Sequence, residues 1–228
     1  LKSAQVFDYI NHASDFGIEV SGVNADFPNI IKRSRDVADG MSKGIDYLLK
    51  KNKVDVLNGH GKVLKGNKIS VVLDGKNSEY SAKHIIIATG ARSRQLPNLP
   101  QDGKKIIGYR DALSLSQAPK KMVIVGSGAI GVEFAYFYNA MGVDVTVVEY
   151  MSNIVPVEDV DISKQLQRSF KKSGIKIMTN SSVESVDTKG SGCKVNIKTS
   201  KGEENLDCDV VLSAVGISAN IENIGLED

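Results

Sequence analysis

The spacing of hydrophobic residues changes along the chain, and each change marks a different kind of element. Leu1, Ala4, Phe7 and Ile10 recur at helical intervals, so residues 1–16 are expected to form a helix stopped by Gly17. Asp26 followed by Pro28 has the form of a helix start. Ile30, Ile31, Val37, Met41, Ile45 and Leu48 then trace one face of a long helix reaching about Lys51. Between Val54 and Ala88 the apolar runs become short: Val54–Leu57, Lys62–Leu64 and Ile69–Leu73, separated by glycine-rich and Asp-Gly turns. That is the pattern of antiparallel strands. Residues 85–90, "IIIATG", are expected as a fully apolar strand ending at Gly90. The following "ARSRQLPNLP" holds too many prolines and polar residues to continue regular structure. Beyond Pro119 the chain alternates strand, helix, strand, helix, strand, from Met122–Val125 to "KIMT", and ends in a hairpin-like stretch at residues 181–200. Alternation of this kind predicts a parallel sheet with crossover helices, an α/β fold.

Composition narrows the partners more than the fold. A hydrophobic content of 41% supports a packed core, and 29 Lys and Arg against 27 Asp and Glu give no basic field for nucleic acid or an anionic membrane. Small molecules or other proteins are the expected partners. The apolar runs fall far short of the roughly 20 residues that a membrane helix needs. Nothing at the start resembles a secretory leader, so the cytoplasm is the expected compartment. Leu1 opens a helix already under way, with no capping residue before it, which suggests part of a longer polypeptide. Cys193 and Cys208 match neither a CxxC pair nor a metal-ligand array, and are expected as reduced, buried thiols.

The chemistry is concentrated in "IVGSGAIGVE". Gly126, Gly128 and Gly131 form a GxGxxG directly after one strand and directly before a helix. There the first glycine permits the tight turn, the second lets the backbone approach a pyrophosphate, and the third lets helix and strand pack closely. Amides at the helix start, carried by Ser127, Ala129, Ile130 and Val132 among others, would face the anion. Glu149 closes the next strand about 20 residues on, where a carboxylate bonds a ribose 2′-hydroxyl. The alternative for Glu149 is an ordinary surface acid at a strand end. A carboxylate there disfavours a 2′-phosphate, and Tyr150–Asn153 offer no Arg or Lys to offset it, so NAD(H) is expected over NADP(H). Tyr136, Phe137 and Tyr138 on the same helix are expected as core packing.

"IVGSGAIGVEFA" and "VTVVEY", with "IIIATGARSRQLP" upstream and "DVVLSAVGISAN" downstream, resemble the pyridine nucleotide-disulfide oxidoreductase family, in its branch that oxidises dihydrolipoamide. "LKSAQVFDYI" is similar to the helix that follows that family's redox disulfide, and "VDVLNGHGKVL" to its next strand and glycine turn. The resemblance implies a Rossmann-like NAD-binding domain at residues 119–217, a partial FAD-binding domain of helices and antiparallel β-meander at 1–118, and a return segment at 218–228. It places Glu133 near the nicotinamide, assigns Val183 and Gly216 to the NAD site, and gives Gly61, Thr89, Gly90 and Ala91 to FAD. On residue chemistry alone Val183 is an ordinary strand position, and Gly59–Gly61 a plain turn. The implied parent is a homodimeric flavoprotein that oxidises dihydrolipoamide on a carrier domain of a 2-oxoacid dehydrogenase complex and passes hydride to NAD. The family's CxxxxC pair, first GxGxxG and C-terminal His-Glu pair have no counterpart in this sequence, so an internal segment without catalytic residues is expected, one that binds NAD weakly and holds FAD poorly. Two other readings stay open: a different disulfide reductase or transhydrogenase of the same superfamily, and an NAD-binding module without chemistry.

Overall fold

A computed structural model describes residues 1–227, so Asp228, the last residue of the expected return segment, lies outside the described residues. Helix α1 (Lys2–Asn11) is followed by a single 3-10 turn at Ala13–Phe16, and Gly17 ends it in the left-handed region at φ 72°. Helix α2 (Phe27–Lys51) starts where Asp26 accepts from the Asn29 amide at 3.0 Å, satisfying a donor that the helix itself cannot. Strands β1 (His60–Leu64), β2 (Lys68–Leu73), β3 (Lys76–Ser81), β4 (Ala91–Ser93) and β5 (Ile106–Ile107) come next, then the short α3 (Tyr109–Ala112). The alternating stretch follows as β6 (Lys121–Val125), α4 (Ala129–Ala140), β7 (Asp144–Val148), α5 (Val160–Lys172) and β8 (Lys176–Met178). The described chain closes with β9 (Ser182–Asp187), β10 (Cys193–Thr199), β11 (Gly202–Cys208), β12 (Val210–Ser213) and β13 (Ile217–Ala219).

Two compact units result: Leu1–Ser34 with Ser93–Gly216, and Arg35–Arg92 with the segment from Ile217 onward. The first is built on a parallel sheet in the order β5-β12-β6-β7-β8. Residues alternate across it. Met122, Ile124, Val145, Val147 and Leu212 pack on one face with Ala135, Tyr138 and Phe170 of the crossover helices. Val123, Val125 and Val211 pack on the other, against Val183, Val195 and Ile197 of an antiparallel sheet in the order β11-β10-β9. Burial of side chains this size contributes about 1.5–3 kcal/mol each relative to exposure. Tyr138 is fully buried, meets the rings of Phe27, Phe134 and Phe137, and donates its hydroxyl to the Ala112 carbonyl at 2.6 Å. The expected packing role of this aromatic run is met, since Tyr136 and Phe137 pack partly buried against the same core, and burial of Tyr138 raises its phenol pKa.

The second unit holds the meander β1-β2-β3, with Val63 opposite Ile69 and Leu73 opposite Lys76. Asp74 and Gly75 both have positive φ, 49° and 76°, as a two-residue primed hairpin turn requires. Strand β13 pairs with β4.

Several local expectations need correction. Neither Val54–Leu57 nor Ile85–Gly90 forms a strand; Ile86 is 90% exposed. Apolar content gives a segment β preference, but a strand exists only where a second one supplies ladder hydrogen bonds, and neither run has such a partner among the described residues. Val37, Met41, Ile45 and Leu48 lie on the exposed surface of α2, although Ile31 packs against the first unit's core. β4 interrupts the stretch expected to be irregular. β11 was not expected, because its residues are nearly all polar; only Leu206 and Cys208 turn inward.

Candidate functional site

In the parallel sheet the order reverses between β6 and β12: β7 and β8 extend to one side of β6, and β12 returns on the other. Ligands of open α/β sheets gather at such a reversal, beyond the strand ends. Gly126, leaving β6, and Gly216, beyond β12, both stand there. Gly126 has φ 97°, and a Cβ on it would lie 2.5 Å from the Ala214 carbonyl oxygen, so the turn excludes any side chain. Gly131, in the first turn of α4, would drive a Cβ into the Gly126 carbonyl oxygen. These two glycines serve close packing of turn, strand and helix.

Gly128 differs from both. Its backbone, φ −66° and ψ −178°, suits any residue, and a Cβ there would meet nothing within 4 Å. The protein itself gives no steric reason for a glycine, which leaves clear space at the start of α4. No side chain caps that helix, and its first intrahelical bond is from the Val132 amide to the Gly128 carbonyl. The amides of Ala129, Ile130 and Gly131 precede that bond, so an anion with several acceptors fits this space.

Glu149 is buried, 6% exposed, which removes the surface-acid alternative. Its Oε2 accepts from the Ser127 amide at 2.8 Å and the Ser127 hydroxyl at 2.6 Å, and its Oε1 accepts from the Met151 amide at 2.8 Å. The carboxylate therefore ties the glycine turn to the end of β7. Tyr150 beside it is 75% exposed.

A further residue went unnoticed in the sequence. Val155 is buried with φ 41°, a region that a β-branched side chain rarely enters, at a strain of about 1–3 kcal/mol. Its amide donates to the Ser127 carbonyl at 2.9 Å. Because a trans peptide points its C=O and N–H in opposite directions, this bond turns the Gly128 amide away from Val155. Only the odd placement of Ile154-Val155 before a proline could have signalled a tight conformation there.

Glu133 is exposed on α4 and lines a cavity of ≈ 140 Å3 with Lys2, Ile30, Arg33 and Phe137. Gly216 has φ 110°, open space where a Cβ would stand, and a carbonyl that accepts from the Arg94 amide. Val183 lies buried in β9, its carbonyl accepting from Asn98 Nδ2 at 2.7 Å. Gly126–Gly131 and Glu149 are thus brought together around Ser127, Gly216 stands beyond the adjacent strand, and Val183 belongs to the antiparallel layer.

In the second unit Gly61 is an exposed residue of β1, opposite Val71. Thr89 and Gly90 are held by Asn220. Thr89 Oγ1 donates to the Asn220 carbonyl at 2.5 Å, and the Asn220 amide donates to the Gly90 carbonyl at 3.0 Å. Gly90 itself has φ 76°. Arg92 donates to the Ala219 carbonyl and forks onto the Glu222 carboxylate, at 2.5 and 3.0 Å. That hydrogen-bonded guanidinium holds the Glu222 carboxyl down at about 2. Because the folded value lies below the ordinary one, the latch is complete above the ordinary carboxylate range and is lost as pH falls through about 2. The pair is exposed, so its effect is local. Amide exchange at residues 217–220 is expected to quicken below pH 4, relative to the rest of the unit, and Glu222→Gln is expected to show that faster exchange at every pH. Mass-resolved hydrogen exchange measures both.

The sequence model for "Pyridine nucleotide-disulphide oxidoreductase" matches residues 9–228. A dihydrolipoyl dehydrogenase of Rhizobium etli is 42% identical across all of this chain and 51% of its own length, and one from Chlorobaculum tepidum is 41% identical across 49% of its length. The crystal structure of LpdA from Mycobacterium tuberculosis superposes with a TM-score of 0.88 at 29% identity, over 99% of this chain and 49% of that one. The chain spans about half the length of the curated relatives it matches. A glycine turn at the sheet's reversal point, an acid bonded to it, and a family match along nearly the whole sequence lead to one conclusion: this chain belongs to the pyridine nucleotide-disulphide oxidoreductase family.

Proposed function

We propose that the first unit binds NAD at the glycine turn and that Gly61, Thr89, Gly90 and Ala91 supply part of an FAD site. The observation that carries the NAD reading is the Glu149 carboxylate bonded to Ser127 beside the clear space over Gly128. The amides of Ala129 and Ile130 hold the pyrophosphate, and Glu149, whose Oε1 keeps acceptor capacity, takes a ribose hydroxyl. Glu133 and Gly216 lie toward the nicotinamide, and Val183 contributes from β9. On this reading residues 119–217 serve NAD, while 1–118 and 218–228 serve FAD.

The whole protein acts, in this proposal, as a homodimeric dihydrolipoyl dehydrogenase of the cytoplasm, taking dihydrolipoamide from a carrier domain of a 2-oxoacid dehydrogenase complex. The names of its relatives support the dihydrolipoyl dehydrogenase part of that assignment, and the two free, buried cysteines suit a reducing compartment. A bound flavin would supply two-electron chemistry between a dithiol and the nicotinamide of NAD. This chain's residues bind, orient and set nucleotide choice. A 2′-phosphate would meet the Glu149 carboxylate with no Lys or Arg in residues 150–153 to offset it. Calorimetric titration is expected to give NAD(H) about tenfold tighter binding than NADP(H), or more. Tighter NADP(H) would overturn the assignment of Glu149 to the ribose.

A further inference from the structure

Strands β10 and β11 bring together two cysteines whose separation in sequence concealed the pairing. Cys193 and Cys208 are directly opposed in the antiparallel ladder. Opposed residues in such a ladder have Cα atoms about 4.5–5.5 Å apart, within the roughly 4.4–6.8 Å that a disulfide spans. Cys193 Sγ donates to the carbonyl oxygens of Lys105 and Asp209, each at 3.7 Å. Gly192 makes the close approach possible, since a Cβ there would stand 2.5 Å from the Cys208 carbonyl oxygen. Cys193 and Cys208 are 4% and 6% exposed as residues, yet both line a cavity of ≈ 440 Å3 with the exposed Asp187, Gly190 and Ser191.

We propose that Cys193 and Cys208 form a reversible dithiol–disulfide site, closed by a peroxide small enough to enter this cavity. Burial raises both thiols, Cys208 to about 12, whereas the Lys105 ammonium partly offsets the effect at Cys193. Cys193 is therefore the attacking sulfur. Its thiolate breaks the O–O bond of the peroxide and becomes a sulfenic acid, and the departing hydroxide takes a proton to leave as water. The Cys208 sulfur then attacks Cys193 Sγ, forming S–S and expelling the second oxygen as water. Two thiols lose two electrons in all, and one hydrogen peroxide becomes two waters. The product staples β10 to β11 behind the parallel sheet.

The test is exposure of the reduced, folded chain to hydrogen peroxide, quenching with N-ethylmaleimide and mass spectrometry of intact and digested protein. Expected is a cross-linked peptide pair carrying residues 193 and 208, a loss of about 2 Da that dithiothreitol reverses, and a Tm raised by about 6–12 °C. In Cys208→Ser the reaction should stop at a Cys193 sulfenic acid that dimedone traps. The proposal is overturned if the folded chain keeps both thiols alkylatable while the urea-unfolded chain, under the same peroxide, forms the bond. It is overturned equally if oxidation yields only intermolecular dimers.

Discussion

Gly128→Ala should leave the Tm of the chain within about 2 °C and weaken NAD binding by more than about tenfold, whereas Gly131→Ala should lower the Tm itself. The contrast follows from what each new methyl group meets. At position 128 the backbone is already in a conformation open to alanine, and no protein atom lies within 4 Å of the added carbon. Alanine restricts the unfolded chain, a gain of about 0.4–1 kcal/mol, but is a poorer helix N-cap than glycine by a similar amount, so stability hardly moves. The same methyl group would occupy the space that the proposed NAD site gives to a pyrophosphate approaching the amides of α4. At position 131 the methyl group meets the Gly126 carbonyl oxygen, fixed by the turn. Strand and helix must separate, and overpacking of this kind is destabilising by about 1–3 kcal/mol, a Tm lower by roughly 2–12 °C for a chain of this size. Calorimetry of unfolding and of NAD titration on both variants separates the two roles. Wild-type affinity in Gly128→Ala would remove the pyrophosphate from this turn.

Local rules read from the sequence succeeded where one element contains its own signal. Gly126, Gly128 and Gly131 sit where the pattern places them because strand, turn and helix are contiguous, and Asp74-Gly75 forms its hairpin for the same reason. What escaped reading depends on partners far away in sequence. "IIIATG" carries strong β preference but finds no ladder partner among the described residues, and the polar β11 is a strand because β10 lies beside it. At the site, the acid at the end of β7 was legible, but its bonds to Ser127 were not. Nor was the strained Val155, whose amide holds the Ser127 carbonyl; propensity argues against a valine in that conformation, and only the surrounding structure imposes it. Cys193 and Cys208 looked unrelated until the hairpin set them opposite each other.

Glu149→Gln is expected to lower both stability and NAD affinity, although it changes one oxygen for one amide nitrogen. The reason lies in how donors are shared between the two carboxylate oxygens. The Ser127 amide and hydroxyl converge on Oε2, and the Met151 amide on Oε1. Both backbone N–H groups are fixed by the turn and by the end of β7, and neither can become an acceptor. A glutamine satisfies only one of them; its NH2 must confront the other, so one donor at a largely buried position is left facing a donor. That mismatch is destabilising by about 1–3 kcal/mol, or roughly 2–12 °C in Tm. Rotating the amide moves the conflict from Met151 to Ser127 without removing it. Glu149→Ala strands all three donors at once, and an expected loss of about 3–5 kcal/mol places it near the limit of a foldable chain, so glutamine is the informative variant. Its NAD affinity should fall about tenfold or more through the loosened turn and the weaker ribose acceptor. NADP affinity should fall less, because the like charge facing a 2′-phosphate is gone, and the NAD:NADP ratio should move toward one. If the ratio stays constant while stability falls, Glu149 is a structural clasp for the glycine turn, and nucleotide choice is made elsewhere.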